Sequence, residues 1–198
     1  MRSMTTIEDS ARESRSNQPS VSGWNVLATA KNHEQGHLAR RLKRLGDFSW
    51  SSYPGLLIGR VADHQAFLEQ LRRREEGQPG FLFPLARLVP LDRTFVFTTE
   101  TLISLLTSDG RDYAQRIGNG SFYVRVERRG HKEKIRCREI EQDLTRVVME
   151  SSGQRGCAPH VEFHDPDFII AVEIVGDECG VGFITKSIRE RYPFVKVP

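Results

Sequence analysis

Between Ser121 and Thr185 the order of apolar and charged residues leaves few folding options. Ser121-Phe122-Tyr123-Val124-Arg125-Val126-Glu127-Arg128-Arg129-Gly130 alternates apolar and charged positions, the period of a strand with one buried face. Ile140, Leu144, Val147 and Val148 then recur at helical spacing and predict a helix with one buried stripe. Asp165-Pro166-Asp167 breaks the chain before Phe168-Ile169-Ile170-Ala171-Val172-Glu173-Ile174-Val175, which is apolar almost throughout. Such a run predicts a strand covered on both faces, with helices as the expected cover. Arg125, Arg128, Arg129, Lys132, Lys134, Arg136 and Arg138, with His131 among them, follow closely on one another from within the first strand to the approach to the helix. Strand, helix, strand with a basic lip at the first strand's exit describes a surface for an anion.

The net charge is only +3, so total charge does not announce a nucleic-acid partner; its distribution says more. From Arg125 to Arg138 seven cations face two anions, Glu127 and Glu133, whereas from Glu139 to Glu178 ten acids face Arg146 and Arg155. A chain so polarised can present one positive face while remaining near neutral.

Three spaced patterns carry a family likeness. Phe122-x-Val124-Arg125-Val126-x-Arg128-Arg129, then Arg138-Glu139-Ile140, then Val161-x-Phe163-x-Asp165-Pro166-Asp167 before an apolar strand resemble a THUMP domain. A serine capping the helix is usual there where Cys137 stands. The resemblance implies RNA binding, because the module occurs in tRNA-modifying proteins such as 4-thiouridine synthetases and RNA methyltransferases. It also implies a preceding ferredoxin-like domain.

The first half agrees in element order. Trp24–Ala30 predicts a strand, and His33–Leu45 a helix with Leu38, Leu42 and Leu45 on one face. Phe48–Trp50 and Leu56–Val61 predict two strands joined by a turn, Asp63–Arg74 a second helix and Phe81–Pro90 a last strand. That order is the split βαβ of a ferredoxin-like unit. The expected class is therefore α+β: a disordered tail over residues 1–22, a ferredoxin-like domain over 23–92, and a THUMP α/β domain over 93–198. Within the last, Thr98–Ile117 reads as two short helices broken near Ser108-Asp109-Gly110, and Val181–Ile184 as a closing strand.

Clustered Arg and Lys bind phosphate by charge and by forked hydrogen bonds. The candidate RNA-binding residues are accordingly Arg125, Arg128, Arg129, His131, Lys132, Lys134, Arg136 and Arg138, with Arg40, Arg41, Lys43 and Arg44 of the first helix as a second surface. Arg128 and Arg129, at the strand's exit, are expected to be solvated. Cys157-x-x-His160-x-Glu162-x-His164 offers potential metal ligands, but the Pro-Cys-x-x-Cys half of a zinc-deaminase signature is missing. Cys137 stands between Arg136 and Arg138, which would lower its pKa.

No phosphate loop, dinucleotide fingerprint or nucleophile elbow occurs, so no cofactor and no catalytic residue is expected. Thirteen residues follow Thr185, too few for the separate catalytic domain of THUMP enzymes. The resemblance then points to the free-standing adaptor, which presents tRNA to an acetyltransferase that makes N4-acetylcytidine. Two other readings stay open: a small metal-dependent enzyme built on Cys157, His160, Glu162 and His164, and a scaffold that has lost RNA binding. Three unpatterned cysteines indicate a reducing compartment, and no apolar run reaches membrane length. The expected location is the cytoplasm, or the nucleus of a nucleated cell.

Overall fold

The computed structural model describes residues 23–198; the expected tail over 1–22 lies outside them. The first half runs β1 (Val26–Ala30), α1 (Gln35–Leu42), β2 (Asp47–Trp50), β3 (Leu56–Arg60), α2 (His64–Gly77) and β4 (Leu85–Pro90). Its sheet is antiparallel in the order β2-β3-β1-β4, the split βαβ arrangement. Leu38 and Leu42 of α1 and Phe67, Leu68 and Leu71 of α2 are buried, as their spacing requires. Asp63 caps α2, its Oδ1 accepting from the Ala66 N–H at 2.5 Å. The last strand begins at Leu85 rather than Phe81. Residues 78–85 coil through successive turns, with Phe81, Phe83 and Leu85 N–H groups donating to the carbonyls of Gln78, Gly80 and Leu82.

The second half runs β5 (Arg93–Val96), α3 (Leu102–Ile117), β6 (Ser121–Arg129), α4 (Cys137–Gly153), β7 (His160–Val161), β8 (Phe168–Val175), β9 (Glu178–Thr185) and α5 (Lys186–Arg191). The sheet order is β5-β9-β8-β6-β7. β6 is parallel to β7 and β8, while β9 is antiparallel to β8 and β5. Neither β5 nor β7 was expected; both are short edge strands whose pairing comes from the sheet beside them. α3 is continuous where a break was expected at Gly110. That glycine is buried at the crossing with α4, where a Cβ would lie 2.6 Å from Leu144 Cδ1. The residue marks close helix packing, not a turn.

The cover of β8 also departs from expectation. Ile170, Val172 and Ile174 face α3 and α4, in one core with Leu106, Leu144 and Val148. Ile169, Ala171 and Val175 face the other way, into the core of the first half with Leu27, Leu57 and Leu88. The helices α3 and α4 cover one face; the first half and the C-terminal segment, with Ile188 of α5, cover the other. That segment continues past α5, where Tyr192 and Val195 are buried and Leu88 and Phe194 are joined by a backbone hydrogen bond.

Asp165-Pro166-Asp167 fastens the starts of β6 and β8 together. The Ser121 N–H and hydroxyl donate to Asp167 Oδ2 at 2.9 and 2.8 Å, and the Asp167 N–H donates back to the hydroxyl at 2.8 Å. These bonds hold the Asp167 carboxyl below the usual carboxylate range. A carboxyl lowered in the folded state stabilises above its unfolded pKa, and that contribution is lost as pH falls through the folded value. Asp167→Asn is thus expected to melt below the parent at neutral pH, with the gap closing on acidification. Thermal melts of both proteins at neutral and at acid pH measure it, and a gap independent of pH would refute the linkage.

Candidate nucleic-acid interface

Alternation along β6 divides the basic stretch. Phe122, Val124 and Val126 face the α3–α4 core, which leaves Tyr123, Arg125, Glu127 and Arg129 on the face toward the first half. There Arg87 of β4 forms a forked pair with Glu173 of β8, at 2.6 Å from Nη1 to Oε1 and 3.2 Å from Nη2 to Oε2. Burial pushes the Glu173 carboxyl up, and hydrogen bonding to Arg87 pulls against that shift. Glu127 and Glu173 are register neighbours, and Arg129 Nη1 bridges them at 3.8 and 3.5 Å. Arg129 is thus 22% exposed rather than solvated, and it joins a network between the two halves.

Arg128 departs from expectation as well. It is half-buried, with Nη1 3.4 Å from the Gly130 carbonyl, and it lies beside Cys137 at the start of α4. The Cys137 thiol is pushed up by burial, with Arg128 opposing, so the expected activation by Arg136 and Arg138 is not found. Cys137 is also not the cap: the chain enters α4 through Arg136, and no side chain caps the helix. Arg125 Nη2 pairs with Glu127 at 3.1 Å.

Past β6 the chain turns through Gly130 and His131, both at positive φ. The hydroxyl of Tyr53, from the β2–β3 turn, lies against Gly130, where a Cβ would be only 2.6 Å from it. His131 is held by Asp177, Nε2 to Oδ1 at 2.8 Å. This bracing throws the following cations outward. Lys132, Lys134, Arg136 and Arg138 are all exposed, while Ile135 between them is buried as the anchor. Arg136 makes only an exposed contact, to Glu139 at 3.0 Å. Four of the eight candidates between Arg125 and Arg138 therefore form a solvated ridge at the start of α4; the others position it or tie the halves together.

Arg40 of α1 is exposed, as are Lys43 and Arg44 in the turn that follows, because the helix ends at Leu42 and not at Leu45 as expected. Arg41 is not free: it donates to the Gly80 and Phe81 carbonyls and lies over the Phe81 ring at 5.2 Å. The loop with Cys157, His160, Glu162 and His164 assembles no metal site. Among the described residues no three His, Cys, Asp or Glu side chains converge as ligands. His164 is 95% exposed, and Glu162 accepts from its backbone N–H at 2.7 Å. Phe163, Arg189 and Lys196, which sequence reasoning did not single out as ligand-binding, line one groove with Arg125, and Phe163 also lines a second with Arg138. Only Phe163, an aromatic between Glu162 and His164, gave a sequence signal.

Residues 111–183 match the THUMP domain family model, so the chain carries a THUMP domain over β6, α4 and β8. Solved structures share the wider fold. TrmN from Thermus thermophilus is 18% identical with a TM-score of 0.57, over 82% of this chain and 45% of that one. PH1313 from Pyrococcus horikoshii is 14% identical with a TM-score of 0.55, over 81% and 54%. A 4-thiouridine synthetase, solved with RNA and bound ATP, is 13% identical with a TM-score of 0.52, over 81% and 41%. The chain spans about half the length of these proteins or less. No curated protein sequence matches it. Among the described residues no helix is long and apolar enough to cross a membrane.

Proposed function

We propose that this chain binds tRNA through the ridge Lys132, Lys134, Arg136 and Arg138 and presents it to a modifying enzyme, with no catalysis of its own. The ridge carries the proposal: four exposed cations at the start of an uncapped helix, where amide N–H groups and the helix dipole also favour phosphate. The THUMP domain supports RNA binding in tRNA modification, and a protein of like fold has been solved with RNA. Arg40, Lys43 and Arg44 supply a second basic surface, so one tRNA spans both halves. The strongly shifted groups are structural in character. Tyr113 and Cys179 are raised first by burial and Glu69 is lowered by hydrogen bonds to Arg72 and Arg191. N4-acetylcytidine formation by an acetyltransferase is the modification we assign, in the cytoplasm or in the nucleus of a nucleated cell.

Gel-shift titration of tRNA with the intact chain, repeated across salt concentrations, tests the first step. Binding that weakens steeply with salt is expected, and undetectable or salt-insensitive binding would refute it. Adding the chain to an acetyltransferase and tRNA tests the second. Acetylation unaffected by the chain would remove the adaptor role.

A further inference from the structure

Next to the ridge, the surface between β6, β7 and the C-terminal segment carries an aromatic shelf. Phe163 is 70% exposed, and its ring centroid stands 5.8 Å from that of Tyr123, with 40° between the planes. It forms a wall common to two grooves of about 580 and 430 Å³. Arg125, Arg189 and Lys196 line the first, and Arg138, the last cation of the ridge, lines the second. The acid lining both is Glu141, whose Oε1 is occupied by the Val126 N–H at 2.9 Å. Arg189 gives one N–H to the Pro166 carbonyl and Arg125 pairs with Glu127, whereas among the described residues no acid pairs with Arg138 or Lys196. The walls thus hold more positive charge and donor capacity than the protein consumes, beside an aromatic face the core does not use.

We propose that this shelf binds an unpaired nucleotide of RNA. The base stacks on Phe163, and the phosphates on either side reach Arg125 and Arg189 in one groove and Arg138 in the other. Every base has a π-face to offer, but a base within a duplex has none free, so the shelf selects single strands. An apolar peptide would have to desolvate these cations without compensation, which the charge of the grooves opposes. The inference rests on the RNA-binding reading and divides its labour: the ridge takes the backbone charge of any RNA, and the shelf takes an unstacked base.

Affinities of the intact chain, Phe163→Ala and Phe163→Trp for a short oligouridylate and for an RNA duplex separate the two ideas. Phe163→Ala is expected to weaken oligouridylate binding roughly 5- to 150-fold while leaving duplex binding within about twofold, and Phe163→Trp to retain both. An oligouridylate carrying 5-bromouridine should photocrosslink to the peptide containing Phe163. RNA binding by the intact chain with no selective loss in Phe163→Ala would overturn the shelf, assign the grooves to another occupant such as a peptide, and leave the ridge standing. Absence of any RNA binding by the intact chain would overturn both.

Discussion

Replacing Lys132, Lys134, Arg136 and Arg138 together with alanine is expected to collapse the salt dependence of tRNA binding. Each phosphate contact contributes about 0.7–0.9 to the log–log slope, so four lost contacts lower it by roughly 3. Affinity at low salt should fall most, because released counterions supply most of the binding free energy there. The fold should survive. The four side chains are exposed, Ile135 keeps its place in the core, and the one ion pair removed is solvated and contributes little. Titrations at several salt concentrations, beside a thermal melt, measure both quantities. An unchanged slope with an intact fold would move the RNA contacts elsewhere, and Arg40, Lys43 and Arg44 would be the next cations to remove.

The second large effect concerns stability. Glu173→Ala leaves the Arg87 guanidinium buried without its partner, and is expected to cost about 3–5 kcal/mol. Arg129 loses the acid it shares with Glu127, so the two halves lose their polar junction as well. The double variant Arg87→Met, Glu173→Leu should recover most of that loss, because apolar groups of similar volume require no paired charge. Urea unfolding of the parent, the single and the double variant supplies the comparison. A single variant costing under about 1 kcal/mol would mean that water enters the junction and solvates Arg87.

What could be read in advance follows from the range of each interaction. The period of β6, the stripe of α4 and the order of the first half are local, and the sequence carries them directly. Arg129 shows where that reading stops. Its chain neighbours place it at a strand exit, yet its partner Glu173 is 44 residues away and is itself paired with Arg87 of the first half. Gly110 shows the converse error. Beside Ser108 and Asp109 it resembled a turn, and only the approach of Leu144 from another helix explains it. In the candidate site the exposed cations Lys132, Lys134, Arg136 and Arg138 were legible because no distant partner claims them. Arg189 and Lys196 were not, because the C-terminal segment must first fold back to bring them beside β6.

The return of that segment has a consequence for synthesis. Leu88, on the edge strand β4, donates its N–H to the Phe194 carbonyl, and its carbonyl accepts from the Lys196 N–H. The first sheet is therefore finished by residues made roughly 100 positions later, which at ordinary elongation rates leaves the β4 edge open for about 5–20 s. An open edge is a template for strands from other chains. Slow translation between β4 and the C-terminal segment should consequently favour misassembly, whereas a destabilised mature fold would not be needed for it.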